Sequence, residues 1–197
     1  YILNVHNNEG VQYSKPKIKI MGIEAVKSST PAVCRDGLKK MFEVIMTKSE
    51  AEAQLEIVKI RENFISLPPE EIAFPRGASD VSGYSNRREG GIYKKGTPIH
   101  VRGCLLFNDQ IVKRGLQKKH QLIRSGDKIK FIYLKTPNPM QENVISFVDG
   151  LPKELGLHRY IDHDLQFQKT FLDPLSIIFD SIGWTMEKTS NLEEFFT

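Results

Sequence analysis

The sequence predicts an α+β fold: a β hairpin at the start, followed by a mostly helical region that carries a small β-containing insertion. Three observations predict it. Strand-like runs flank an Asn/Gly turn within residues 1–22, apolar residues recur at helical spacing further on, and Gly and Pro break the pattern between residues 67 and 97. A chain of 197 residues is long enough to bury a real core and suits one large domain or two small ones.

The hairpin is predicted from Tyr1 to Val5 and from Val11 to Met21, where Lys17-Ile18-Lys19-Ile20 alternates; Asn7-Asn8-Glu9-Gly10 supplies residues that tolerate a tight turn. A first helix is expected after Ser28-Ser29-Thr30-Pro31, with Thr30 as cap and Pro31 at the first helical position, where its missing donor is not needed. Ala32, Val33, Leu38, Met41, Phe42 and Ile45 form its expected apolar side. Ser49-Glu50-Ala51-Glu52 has capping-box spacing and opens a second helix, with Leu55, Val58, Ile60 and Ile65 as its expected inner face. Residues 67–97 then read as a long, basic, Gly-rich loop, and loops of this length in compact proteins are usually functional. Val101 to Asn108 is expected to run on into a helix holding Lys113, Arg114 and Lys118. A turn at Ser125-Gly126-Asp127 precedes a strand over Lys128–Leu134. Further helices are expected over Leu165–Phe171 and Leu175–Ile182, the latter opened by Pro174 and closed by Gly183.

Charge is unevenly placed. Between Pro75 and Lys135 stand fourteen Lys/Arg against four acidic residues, a net +10, while the remainder carries fourteen against twenty, a net −6. A basic block between acidic flanks suits a surface that meets phosphates, although a solvated face also accounts for it. No run approaches the roughly 18 apolar residues of a membrane span, and no leader resembles a signal peptide, which predicts a cytosolic site without a membrane partner. Cys34 and Cys104 lie far apart in apolar stretches and read as buried free thiols. The chain opens on Tyr1 inside a strand-like run, which predicts a piece of something longer. At the other end, Leu192, Phe195 and Phe196 share one face of a helical turn. Burying them would contribute roughly 1.5–3 kcal/mol per side chain, either against the chain's own core or on a partner.

No catalytic constellation is evident. The Gly-rich region lacks the phosphate-cradling Gly-x-x-x-x-Gly-Lys-Ser/Thr pattern, no Gly-x-Ser-x-Gly elbow is present, and His158 and His163, five apart, do not share a helix face for a metal.

Several islands carry a family resemblance. Tyr1-Ile2-Leu3-Asn4-Val5, Pro16-Lys17-Ile18-Lys19-Ile20-Met21-Gly22-Ile23-Glu24 and Val26-Lys27-Ser28-Ser29-Thr30-Pro31 closely resemble the end of the palm and start of the thumb in T-even-type phage family B replicative DNA polymerases. Pro98-Ile99-His100-Val101-Arg102-Gly103, Lys169-Thr170-Phe171-Leu172-Asp173-Pro174-Leu175 and the terminal Leu-x-x-Phe-Phe continue the match in the family's order.

The resemblance implies residues 1–22 as the end of the palm, 23–188 as the thumb and 189–197 as a clamp-binding tail. Tyr1 would be the tyrosine of the family's Lys-Lys-x-Tyr element, whose basic residues are missing here. The metal-binding palm aspartates, the fingers helix and the exonuclease carboxylates precede this region in the family. The chain is therefore expected to be inactive alone and to hold no cofactor, with Mg2+ bound by the complete polymerase. Expected partners are primer–template duplex DNA, the N-terminal part of the polymerase and the sliding clamp, in the cytoplasm of an infected bacterial host. A thumb grips duplex product through phosphate contacts rather than base reading. The residue types suited to this are Arg76, Ser79, Ser82, Tyr84, Lys94, Lys95 and Arg102, then Lys113, Lys118 and Lys119, with Lys27, Ser28 and Ser29 ahead of the first helix. Leu192, Phe195 and Phe196 resemble the aliphatic-and-two-aromatics plug that enters a clamp pocket; Thr189 stands where many such peptides carry glutamine. A nucleic-acid-binding adaptor that recruits a ring-shaped partner without joining a polymerase is the alternative.

Overall fold

The structure is a computed structural model that describes residues 2–3, 17–18, 20–21 and 24–187. The chain divides into two compact units, one comprising residues before 67 and from 169 onward, the other residues 67–168. The fold is mixed α+β, as the sequence predicts.

In the first unit, β1 (Ile2–Leu3) pairs antiparallel with β2 (Lys17–Ile18), Ile2 opposite Ile18. The rest of the expected hairpin lies outside the described residues. Helices α1 (Ala32–Thr47) and α2 (Glu50–Ser66) follow. The start of α1 differs from expectation: Pro31 is itself the cap residue, Ala32 opens the helix, and no side chain caps it. The Pro31 carbonyl takes the first helical bond, from the Arg35 N–H at 3.0 Å, while the Thr30 N–H turns back to the Lys27 carbonyl at 3.2 Å.

At α2 the capping box forms. The Ser49 N–H donates to Glu52 Oε2 at 3.0 Å, and the Glu52 N–H returns to Ser49 Oγ at 3.4 Å. The Ser49 N–H, together with the Ser49 hydroxyl donating to the same oxygen at 2.9 Å, holds the Glu52 carboxyl below its usual range. The inner faces are rotated from those read off the sequence. On α1 the buried residues are Cys34, Leu38, Met41 and Val44, and on α2 they are Ala53, Ile57 and Phe64. Leu55, Val58 and Ile65 are instead 57%, 53% and 44% exposed. The stripe runs from Ala53 through Ile57 to Phe64, and since it opens on a small residue, size alone misplaces it. Gly37 lets the helices close on the Phe171 ring: a Cβ there would meet the ring at 3.0 Å and Ile60 at 3.2 Å. The unit's last helix is α6 (Asp173–Ile182). It has Pro174 in its first turn and ends on Gly183 in the left-handed region at φ 72°. Both terminal signals act as the sequence predicts.

The second unit is built on a three-stranded antiparallel sheet, β3 (Phe74–Gly77), β4 (Lys128–Tyr133) and β5 (Val144–Phe147), in that spatial order. Residues 67–97 are thus not loop throughout, since they contain α3 (Pro69–Ile72) and β3. β3 lies at the sheet edge, where Pro75 costs no ladder bond. Across the sheet lies α4 (Ile99–Lys113), whose buried residues include Val101, Cys104, Phe107 and Ile111. Gly103 sets how closely α4 meets β5: a Cβ there would fall 2.3 Å from Ser146 Oγ and 2.8 Å from the Ser146 nitrogen. Ser146 Oγ in turn donates to the His100 carbonyl at 2.8 Å.

α5 (His163–Phe167) is capped by Asp162, which accepts from the Leu165 N–H at 3.0 Å. Its fully buried Gln166 accepts from the Tyr133 N–H at 3.1 Å and donates to the Ile72 carbonyl at 2.8 Å, tying β4 to the end of α3. A π-helical turn over Gln168–Leu172 continues the chain. Cys34 and Cys104 are free and buried, and burial pushes their thiols up to about 11 and about 12. No helix among the described residues is long and apolar enough to cross a membrane.

Gly103→Ala is expected to destabilise the second unit by ~1–3 kcal/mol through overpacking, read as a lower urea midpoint. A companion Ser146→Ala change should recover part of that loss by removing the nearest clashing oxygen.

Candidate nucleic-acid interface

Beyond β3 the chain builds a finger and one wall of a groove. The Ala78 N–H donates to the Asp127 carbonyl at 2.8 Å and the Gly126 N–H to the Ala78 carbonyl at 2.7 Å, which extends the β3–β4 pairing into the turn. Asp80 then adopts φ 46°, and its carboxylate accepts from the Gly83 N–H at 3.1 Å. Position 83 has to be glycine, because a Cβ would lie 2.3 Å from the Asp80 carboxylate oxygens. The strands close again at the Ser85–Tyr93 bridge, with the Lys94 N–H on the Tyr84 carbonyl at 3.0 Å. At the tip a 3₁₀ turn over Arg87–Glu89 ends on Gly90 at φ 82° and leaves Arg87 and Arg88 exposed.

The opposite wall is the turn 122–125. Asn108 of α4 holds it with two bonds: Nδ2 donates to the Ile123 carbonyl and the Ile123 N–H donates to Oδ1, both at 2.8 Å. Asp127 accepts from the Arg124 N–H at 2.7 Å, and Ser125 Oγ accepts from the Val81 N–H at 2.9 Å. Between the walls lies an open groove of about 1090 Å3 floored by Val81, Leu105 and Ile123. Its lining carries Arg87, Arg88, Lys94 and Arg124 against Asp80 and Glu89, a net +2. Lys94 Nζ rests on the neutral Gly83 carbonyl at 2.8 Å and so keeps its charge uncompensated. Among the described residues, none forms an ion pair with Arg87, Arg88 or Arg124. Serine hydroxyls and exposed cations on a pre-set backbone suit phosphate oxygens.

The residues singled out by sequence fall into distinct places. Ser82 and Lys94 line the groove. Ser79 and Lys95 are exposed on the same excursion and Tyr84 is half-buried at the root of the finger. Arg76 on β3 folds back on the Pro75 carbonyl at 2.9 Å, 5.6 Å over the Phe74 ring. Burial, with Arg76 nearby, holds the His100 imidazole below its usual range. Arg102 on α4 is a strut: it donates to Asn143 Oδ1 and lies 5.7 Å over the Tyr93 ring, whose hydroxyl donates to Glu142 at 2.7 Å. Lys113 is paired with Asp109 at 2.9 Å and Lys119 with Glu154, while Lys118 is exposed. Lys27, Ser28 and Ser29 form the turn before α1 in the other unit. Tyr1, Leu192, Phe195 and Phe196 lie outside the described residues. Among the described residues no group of three or more His, Cys, Asp or Glu side chains could hold a metal ion.

No family model matches the chain. Over 200 aligned residues it is 29% identical to the DNA-directed DNA polymerase of Enterobacteria phage T4, and over 201 residues 30% identical to that of Escherichia phage RB69. The chain is similar to a C-terminal part of a phage DNA polymerase. Both matches take in the whole chain, which spans about 22% of the length of these polymerases.

Beside this polymerase likeness, Arg87, Arg88 and Arg124 stand out as groove residues that the sequence reading counted in the basic block but did not single out. Local sequence gives no sign that they meet, because residues 82–94 and 122–125 are brought together by the sheet and by Asn108.

Glu154 compensates one cation of the basic segment. The Lys119 ammonium, hydrogen-bonded to its carboxyl, is the main cause of holding that group down to about 2. Since the folded value is depressed, the pairing contributes stability above the ordinary glutamate range and loses it as pH falls toward about 2. Lys119→Ala is expected to move the Glu154 carboxyl titration, followed by NMR, back up toward the ordinary range.

Proposed function

We propose that this chain is the C-terminal thumb region of a DNA-directed DNA polymerase, gripping primer–template duplex through its phosphates while the rest of the polymerase performs phosphoryl transfer. The observation that carries this reading is the basic groove of the second unit, set in a chain similar over its whole length to polymerase C-terminal parts. The groove's chemistry suits binding through phosphates: its cations sit on backbone held by turns and buried bonds. Arg87, Arg88, Lys94 and Arg124 are its principal contacts, Ser82 and Ser125 its neutral ones. Residues 189–197 are the proposed tether to a sliding clamp, with Leu192, Phe195 and Phe196 as the plug.

Phosphate neutralisation predicts a log K that falls with log salt at a slope of about −0.9 per contact. In the complete polymerase, Arg87→Ala, Arg88→Ala and Arg124→Ala are each expected to weaken duplex binding evenly across sequences and to flatten that slope by about 0.9. Unchanged slopes in all three would remove the groove from the DNA path.

The tether is tested separately. Phe195→Ala with Phe196→Ala should abolish stimulation of synthesis by the clamp and leave distributive synthesis intact; full stimulation in the double variant would refute it. Primer extension by the chain alone should be absent and should appear when it is assembled with the preceding part of the polymerase.

A further inference from the structure

The chain leaving α6 is fastened to the first two turns of α2. Thr185 has all its polar groups engaged there: its N–H and Oγ1 donate to Glu50 Oε1 at 2.6 and 2.8 Å, and its carbonyl accepts from Gln54 Nε2 at 3.0 Å. The same Gln54 amide reaches the Glu187 carbonyl at 3.2 Å. Glu50 and Gln54 stand at i and i+4 and so present a carboxylate acceptor and an amide donor along one face of α2. One residue earlier, the Trp184 N–H closes the helix end on the Phe179 carbonyl at 2.9 Å, and the Trp184 ring packs edge-on against buried Phe179 at 5.8 Å. The bonds from Thr185 hold the Glu50 carboxyl below its usual range. Trp184, Thr185 and Glu187 are therefore all held, although Thr185 and Glu187 lie at the exposed surface.

We propose that Glu50 and Gln54 form a clasp that fixes the root of the C-terminal peptide at Thr185–Glu187, so that the tether to the clamp starts at residue 188 and not at the end of α6. This rests on the tether reading given above. The clasp is a positioning device: a peptide that starts from a fixed point has its binding groups confined to a smaller volume. Effective concentration falls roughly as the −3/2 power of tether length. Releasing residues 185–187 lengthens the path to Phe195 by more than a third, which corresponds to a drop of somewhat under twofold.

The clasp and the tether are read out independently. Cys34 and Cys104 are buried with raised thiol values, so a nitroxide label directed to Glu187→Cys reports that position alone; the Glu187 side chain makes none of the clasp bonds. In this labelled chain, Glu50→Ala, which removes the acceptor of both Thr185 bonds, and Gln54→Ala are expected to narrow the spectrum toward that of a mobile segment. The two substitutions together should narrow it most. An unchanged spectrum in the double variant, with helical circular dichroism preserved, would overturn the clasp. In the complete polymerase the double variant should need somewhat under twice the clamp for half-maximal stimulation, with distributive synthesis unchanged. Spectral narrowing without any change in clamp dependence would overturn the positioning role. Failure of the Phe195→Ala, Phe196→Ala variant to lose stimulation would refute the tether itself and would leave the spectral result for the clasp standing.

Discussion

Both walls of the groove hang from one helix, and that helix is seated by a contact with no spare room. α4 approaches β5 where Gly103 faces Ser146, and the Ser146 hydroxyl is spent on the His100 carbonyl one turn back on the same helix. With α4 seated, Arg102 reaches Asn143 and the Tyr93 ring at the base of the finger, and Asn108, six positions on, grips Ile123. Finger and turn are therefore referred to one rigid element, and the spacing of the cations is decided in the core. This is the usual way to hold a binding surface on loops without leaving its geometry to chance.

The electrostatics of the second unit are more selective than its net charge suggests. Basic residues toward the end of α4 and just after it meet carboxylates, Lys113 with Asp109 and Lys119 with Glu154. Arg114 donates to the Glu154 carbonyl at 2.6 Å. Those on the finger and the 122–125 turn meet none, or rest on neutral carbonyls. Formal charge is spread across the segment, and the four cations lining the groove are among those that no carboxylate compensates. An exposed cation keeps its hydration until a phosphate replaces it, whereas a paired one must first give up its carboxylate, and this difference favours the groove as the docking face.

Features written in neighbouring residues were legible in the sequence. The Ser49–Glu52 box and the Pro174 and Gly183 ends depend on bonds within a few positions, so their spacing sufficed. Features decided by distant packing were not. Val144–Phe147 is buried at all four positions and shows no alternation to mark it as a strand. Phe74–Gly77 contains a proline and a glycine that argue against a strand until its edge position is known. On α2 the larger residues Leu55, Val58 and Ile65 drew the inner face away from the Ala53–Ile57–Phe64 line that the core uses. The groove shares this limit: Ser82 and Lys94 were visible as suitable residue types, but their convergence with Arg87, Arg88 and Arg124 is a property of the folded sheet.

The two bonds of Asn108 carry a consequence for how the molecule ages. A carboxamide is the side-chain group that offers a donor and an acceptor side by side, which is what the backbone of Ile123 asks of it. Conversion of that amide to a carboxylate would exchange one nitrogen for an oxygen and set a negative charge against the Ile123 carbonyl, with no donor left to meet it. The turn carrying Arg124 would lose half its attachment to α4 through a change of a few atoms. Slow chemistry at this one side chain of α4 would then loosen the wall of the groove that carries Arg124.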